Sequence, residues 1–374
     1  MKRNIFRSNQ PDKIFLILVG MLVLFGLAML ESASAPLGYA KHGDMFFYLK
    51  HQIFYGLLPG LILFLIFSRV DYHYFRAKAF PLLLVSIGLL ILVFLPGLAA
   101  NWGTSKSWIQ LGNFSLQPAE IVKLTFLFYL AAWLEDRGHI GVKDLHTGLL
   151  PFLTVLGAIA GLLMLQPDTG TMSIIAATAV IVYFMAGAPL AYLAGIIAAG
   201  SGLFFFLIKF SPYRAARFLT FLNPDFDPQG IGYQISQAFL AIGSGGIFGA
   251  GLGGSKQKLL HLPEAASDSI FAVMAEELGF IFTLAFFVLL LAIFFRGLAA
   301  ASSAPDPFGR LTVIGIISWF AVQSVVNMGA MLGLLPLTGV TLPFISYGGT
   351  SLAVSLAAVG VVANVSRQAI KQRV

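Results

Sequence analysis

Asp268 is the residue best placed to do chemistry in a chain that is otherwise overwhelmingly apolar. It closes a polar stretch, residues 211–268, that opens with Ser211-Pro212-Tyr213-Arg214. The stretch passes through a glycine-rich patch from Gly243 to Gly254 and through Lys256-Gln257-Lys258, and it reaches Leu262-Pro263-Glu264 before the acid. Lys209, Arg214, Arg217, Lys256 and Lys258 lie in or beside it. A carboxylate at the mouth of an apolar helix suits general-base chemistry, and nearby cations suit a bound or departing anion. Spacing decides which acids could act together. In a helix starting at Asp268, Glu276 would lie about 12 Å deeper and be rotated by about 80°, while Glu277 would point to the far side. Two carboxylates so separated do not make the paired centre of a glycosidase. One acid at the surface with two deeper fits a single base above a polar cavity. A plainer role competes, because Ser and Asp are favoured helix N-caps, contributing about 1 kcal/mol.

Other polar groups fall where apolar ones are expected. Glu120 and Lys123 open an apolar run at i, i+3 spacing, so they share a helix face and can pair. They form either a structural ion pair or the lining of a polar cavity, with Lys123 offered to a phosphate. Gly339 to Ser351 breaks into another apolar run. Ser346, Tyr347 and Thr350 supply hydroxyls there, and Gly348-Gly349 permits close backbone approach or helix packing. No phosphate-cradling nucleotide loop, zinc helix or nucleophile elbow is present.

The elements that must position these groups are membrane helices. Of 374 residues, 58% are hydrophobic and 10% charged, against about a quarter charged in soluble domains. The apolar residues fall in blocks of about 17–25, long enough to span a bilayer, and continuous runs exclude a spanning β-barrel. Ten spans are expected, at 14–34, 52–67, 79–97, 117–134, 148–165, 171–187, 190–210, 269–295, 309–335 and 349–365. An even count puts both termini on one side, and the bias of Lys and Arg makes that side the cytoplasm. The net charge of +7 reflects these flanking residues and gives no sign of nucleic-acid binding. The first run is longer than a secretory signal core and is followed by Pro36, so it reads as an uncleaved span. There is no cysteine, which excludes thiolate metal sites and thiol nucleophiles.

Five ordered motifs resemble the SEDS family of bacterial shape, elongation, division and sporulation proteins, which includes FtsW and RodA. They are Gly103-Thr104-Ser105-Lys106-Ser107-Trp108 with Gln117-Pro118-Ala119-Glu120 to Lys123; Gln166-Pro167-Asp168-Thr169-Gly170; Tyr233-Gln234 through Lys258; Leu262-Pro263-Glu264 through Asp268 to Glu276-Glu277-Leu278-Gly279; and Leu342-Pro343-Phe344-Ile345-Ser346-Tyr347-Gly348-Gly349. The wording of the last two is closer to FtsW than to RodA. The resemblance implies an all-α polytopic fold and one membrane domain over 1–374, with 211–268 as its large outer loop. The implied activity is that of a peptidoglycan glycosyltransferase in the bacterial cytoplasmic membrane, which polymerises lipid II and releases the lipid pyrophosphate. The implied partners are a class B penicillin-binding protein and other division proteins.

In the family, the acid that maps onto Asp268 is the proposed base. Ala266 and Ser269 stand where the family often has histidine and an aromatic residue, which affects substrate positioning rather than the acid. Substrate contacts are expected from Lys106, Trp108, Glu120, Lys123, Arg217, Lys256, Lys258, Glu264, Glu276, Ser346 and Tyr347. A pyrophosphate leaving group needs cations, or a divalent metal ion, at the leaving side. Two rivals remain. A transporter could flip the lipid-linked precursor past Glu120, Lys123, Glu276 and Glu277, although the halves show no convincing inverted repeat. A scaffold that only recruits division proteins would leave the charges at membrane depth unexplained.

Overall fold

The computed structural model describes residues 5–7, 10–95, 107–111, 114–210, 212–223, 226–227 and 229–372. Each expected span falls on a helix. These are α1 (Lys13–His42), α2 (Phe47–Gln52) running through a π-helical turn into α3 (Leu58–Arg69), α5 (Ala79–Leu92) after the short α4 (Tyr72–Ala77), α6 (Pro118–Lys143) and α7 (Leu150–Leu165). Then come α8 (Thr169–Met185), α9 (Leu190–Phe210), α12 (Ile270–Ser302), α13 (Pro307–Met331) and α14 (Gly349–Arg367). Among the described residues, seven of the helical stretches are long and apolar enough to cross a membrane by themselves. Local chemistry sets several boundaries. The carboxylates of Asp12, Asp168 and Asp306 accept the amides of Phe15, Thr171 and Gly309 at 3.1, 3.0 and 2.7 Å, capping α1, α8 and α13.

The termini meet. Strand β1 (Ile5–Arg7) pairs antiparallel with β4 (Ile370–Gln372), so both ends of the chain lie on one face. A second pair, β2 (Ile109–Leu111) with β3 (Phe114–Leu116), leads into α6. Helices α13 and α14 are the centre of the bundle, with 72% and 89% of their apolar windows buried, whereas α9 has only 6%. Small residues permit the close packing. A Cβ on Gly60 would lie 2.6 Å from Leu356 Cδ1 and 3.0 Å from Ala353 Cα. A Cβ on Gly349 would lie 2.9 Å from the Tyr55 carbonyl. Such small-residue contacts are how membrane helices approach backbone to backbone.

The expected large outer loop, residues 211–268, carries structure of its own. The stretch contains two helices, α10 (Pro212–Leu222) and α11 (Ile231–Ser244), and its glycine-rich part is built into a membrane helix. Helix α12 breaks at Gly279, where φ is 73°. The carbonyls of Glu276 and Glu277 accept the amides of Ala250 and Gly251, each at 2.9 Å. The amides of Phe280 and Ile281 donate to the carbonyls of Gly246 and Ile247 at 2.9 and 3.2 Å. Non-helical backbone at membrane depth is tolerated only where protein meets its polar groups, as this segment does. The fit leaves no room for side chains, since a Cβ on Gly279 would lie 2.2 Å from the Gly249 nitrogen.

This geometry separates two glycines of similar backbone. Gly246 has φ +54° and open space around a new Cβ. Gly246→Ala should therefore cost only the left-handed penalty of about 1–2 kcal/mol. Gly279→Ala adds displacement of packed backbone and should cost about 2–5 kcal/mol in all. Thermal melting of the two variants in detergent checks this, and equal midpoints would contradict it.

Candidate active site

Asp268 sits in the turn immediately before α12. Ser269 occupies the N-cap position, and no side chain caps that helix end, so the N-cap role considered for Asp268 does not hold. The turn is shaped by Glu264, whose φ is 52° and whose carbonyl accepts the amides of Ser267 and Ser269 at 3.0 and 3.1 Å. Asn327, on α13, fixes the acid's backbone. Its Nδ2 donates to the carbonyls of Asp268 and Val340, both at 2.8 Å. From α11, Gln234 Nε2 donates to Asp268 Oδ1 at 3.4 Å and to Ser269 Oγ at 2.9 Å. Arg217, on α10, donates to the Leu337 carbonyl at 3.2 Å. A Cβ on Gly339 would lie 3.9 Å from Asp268 Oδ2 and 4.0 Å from Arg217 Nη2, so the acid and the guanidinium flank this residue. Burial pushes the Asp268 carboxyl up to about 7, and the charge of Glu264 adds to the rise, against the opposing Gln234 hydrogen bond and Arg217 charge. A carboxyl near neutrality is suited to take a proton at physiological pH.

Next to the acid is a polar cavity of about 170 Å³ lined by Ser107, Trp108, Glu120, Lys123, Asp168, Arg217 and Gln323, among others. Glu120 and Lys123 pair at 2.8 Å with side chains only 5% and 3% exposed. Lys123 also donates to Gln323 Oε1 at 2.8 Å and lies 4.7 Å from the centre of the Trp319 ring. Trp319 donates to the same Gln323 oxygen at 2.7 Å, and Gln323 Nε2 donates to the Thr341 carbonyl at 2.8 Å. The pair is thereby locked to the segment that flanks Asp268. Glu120 Oε2 is buried with no hydrogen-bond partner among the described residues. A separate small void of about 10 Å³ beside Lys123 is lined by Phe126, Leu127, Ile174, Ile175, Thr178 and Trp319.

A family model described as "Cell cycle protein", covering FtsW, RodA and SpoVE, matches residues 12–371. The chain belongs to the FtsW/RodA/SpoVE family. It is 39% identical over 361 residues to stage V sporulation protein E of Bacillus subtilis, covering 96% of this chain and 98% of that one. It is 40% identical over 364 residues to a probable peptidoglycan glycosyltransferase FtsW of Trichlorobacter lovleyi, covering 97% and 95%. Among solved structures it resembles the Thermus thermophilus rod shape determining protein RodA, with 28% identity, TM-score 0.70, and 96% and 97% of the chains covered. It also resembles a chain from a study of a peptidoglycan synthase complex that coordinates polymerization and crosslinking, with 28% identity, TM-score 0.78, and 96% and 98% covered.

Within this FtsW/RodA-type frame the expected site residues divide. Trp108, Glu120, Lys123 and Arg217 line one cavity beside Asp268. Glu264 is exposed near the acid. Ser346 holds structure instead of facing a ligand: its hydroxyl donates to the Ser267 carbonyl and accepts the Leu342 amide, and the residue is 5% exposed. Tyr347 donates its amide to the Ala266 carbonyl at 2.8 Å.

Lys258 and Glu276 are not in the cavity lining, contrary to expectation. Lys258 is buried against Glu277 at 2.6 Å, with Ser32 Oγ bonded to both. Glu276 accepts the Ser255 hydroxyl and the amides of Lys256 and Gln257. These bonds hold the loop to the broken helix, and the Lys256 side chain is exposed. Lys106 lies outside the described residues. Among the described residues no three His, Cys, Asp or Glu side chains converge on a metal-sized site. Asp168, Gln323 and Asn327 were missed as site residues. Their signal was present, as an acid in a tight reversal and two amides inside an apolar span, the kind of polar group that usually has a partner or a function.

The locked pair yields a stability test. Lys123→Met strands a buried carboxylate and should cost about 3–5 kcal/mol. Adding Glu120→Gln removes the second charge and should recover most of the loss, with melting of the purified variants as the measure. A double variant as unstable as the single one would show that the charge itself is not the problem.

Proposed function

We propose that the chain polymerises lipid II into glycan strands at the outer face of the bacterial cytoplasmic membrane, serving septal synthesis in division. The observation that carries this reading is Asp268, buried and near-neutral in pKa at the edge of a polar cavity that also holds Arg217. In the proposed step the Asp268 carboxylate accepts the proton of the acceptor 4-hydroxyl. The freed oxygen bonds to the anomeric carbon of the donor sugar as that carbon's bond to pyrophosphate breaks, and the lipid pyrophosphate departs with the electron pair. Arg217 and the Lys123 ammonium offer positive charge in the adjoining cavity. A divalent cation, where used, would rest on Glu264 together with substrate phosphate oxygens, leaving the Asp268 carboxylate to take the proton. Glu276 and Glu277 are engaged with the loop and with Lys258, apart from the cavity that holds Glu120 and Lys123, so the four groups expected along a flipping path do not line one path, which favours this reading over lipid flipping.

A class B penicillin-binding protein that crosslinks the strands is the proposed partner, with other division proteins around it. The relative from the peptidoglycan synthase complex supports this. The bias of Lys and Arg in the short loops supports a topology with both termini in the cytoplasm. Single cysteines in this cysteine-free chain check that orientation with an impermeant thiol reagent on intact cells. Position 256 should label and position 140 should not, both residues being exposed. The reverse pattern would invert the topology.

The base assignment is tested by Asp268→Asn. The purified variant should fold, insert and bind its partner, yet lose about 10²–10⁴-fold in lipid II polymerisation. In the wild-type protein the catalytic form is the ionised one. Its kcat/KM should therefore rise about tenfold per pH unit below the apparent pKa of about 7 and level off above it. Near-normal polymerisation by the variant, or a profile flat from pH 5 to 8, would remove Asp268 from the role.

A further inference from the structure

The face that carries Asp268 also carries a continuous aromatic surface that the reaction step does not use. It begins at the end of α1, where His42 stacks on Phe47 with ring centres 3.6 Å apart. Phe47 meets Tyr48 edge-on at 5.4 Å, and Tyr48 meets Tyr347 edge-on at 5.1 Å. His51, one turn along α2, bonds to the Tyr347 hydroxyl through Nδ1 at 2.9 Å. The surface joins the catalytic turn directly, because the Tyr347 amide is bonded to Ala266, two residues before the acid. The exposed Glu264 carboxylate belongs to the same turn, four residues before the acid, where it accepts the Ser267 hydroxyl at 2.6 Å. The exposed Lys50–Asp44 ion pair beside these rings sets this edge in water. A lipid-anchoring belt places Trp and Tyr rings at the headgroup level. Here they pack on one another and lead to the acid, with a π-helical turn at Ile53–Leu57 following, a distortion frequent at functional sites.

We propose that this surface, centred on Tyr48, His51 and Tyr347 with Glu264, is a saccharide-binding track that holds the glycan strand beside Asp268 between additions. The proposal rests on the glycosyltransferase reading. A sugar ring presents an apolar C–H face and an equatorial rim of hydroxyls. Aromatic faces take the first, while a carboxylate, an imidazole and a phenol take the second. A strand held there stays at the site through successive additions, so the track sets product length.

The test compares Tyr48→Phe with Tyr48→Leu in the purified full-length protein, with melting recorded for each. Product length is read at matched lipid II consumption, and binding is read with a soluble, peptide-free tetrasaccharide of the glycan repeat. Tyr48→Leu removes the ring and should weaken tetrasaccharide binding roughly three- to tenfold, with shorter chains. Tyr48→Phe keeps the ring and loses only the phenol, so it should lose less binding and less chain length than Tyr48→Leu. His51→Ala, which unties Tyr347, should shorten chains as well. Failure of the wild-type protein to polymerise would overturn the parent reading. Polymerisation by wild type with unchanged length and binding in Tyr48→Leu would overturn only the track. Weaker complex formation with the transpeptidase partner at unchanged chain length would make the surface a protein interface, and the proposal would fail.

Discussion

The site depends on one bifurcated amide. Asn327 Nδ2 donates at once to the Asp268 and Val340 carbonyls, tying the acid's backbone to the segment opposite. A desolvated carboxylate is costly, and a tightly paired cation would relieve that cost by driving the pKa down, which would leave a weak base. This structure anchors the main chain instead and leaves the carboxylate only a long amide contact from Gln234 and the partial influence of Arg217. Position is supplied by neutral groups, so basicity survives. The amide stands on α13, the helix with most of its residues buried in the bundle, where rotation or sliding would disturb packing on several sides.

Charge is handled differently elsewhere. Glu120 with Lys123, and Glu277 with Lys258, are close, buried pairs with hydrogen bonds to further side chains. Such pairs contribute little net stability over apolar replacements but penalise any arrangement that separates them. They act as registration marks. One links α6 to α13 through Gln323, and the other links the loop after α11 to α12 and to Ser32 on α1. Among the described residues the acid meant to react has no such close cation, whereas Glu120 and Glu277 each have one.

The helices were legible because a bilayer demands long apolar runs, and each of the ten expected runs became a helix. Asp268 was legible because an acid at such a boundary is conspicuous. What the sequence hid was pairing across distance. Nothing in the spacing of Lys258 says that it meets Glu277 and Ser32, and a cation in a polar stretch reads naturally as a ligand contact. The bonds of the Ser346 hydroxyl to the Ser267 carbonyl and the Leu342 amide were hidden for the same reason, since a hydroxyl near a site can serve the backbone as readily as a substrate. The glycine-rich patch read as loop because glycine marks freedom in one dimension. In three dimensions two of those glycines, Gly245 and Gly249, are where main chains touch, against Ala275 and Glu277 of the broken helix.

The break in α12 bears on how the protein is made. The carbonyls and amides that receive Glu276, Glu277, Phe280 and Ile281 come from Gly246 to Gly251, a segment upstream and nearby in the chain. It is synthesised first and leaves the ribosome ahead of the break. The partners of an interrupted helix are therefore already at hand when that helix enters the bilayer, and the exposed backbone groups need not wait in hydrocarbon for a distant span. An interruption completed by a later part of the chain would have to pass through such an intermediate. Sequence order is thus part of the solution: the patch precedes the helix it completes.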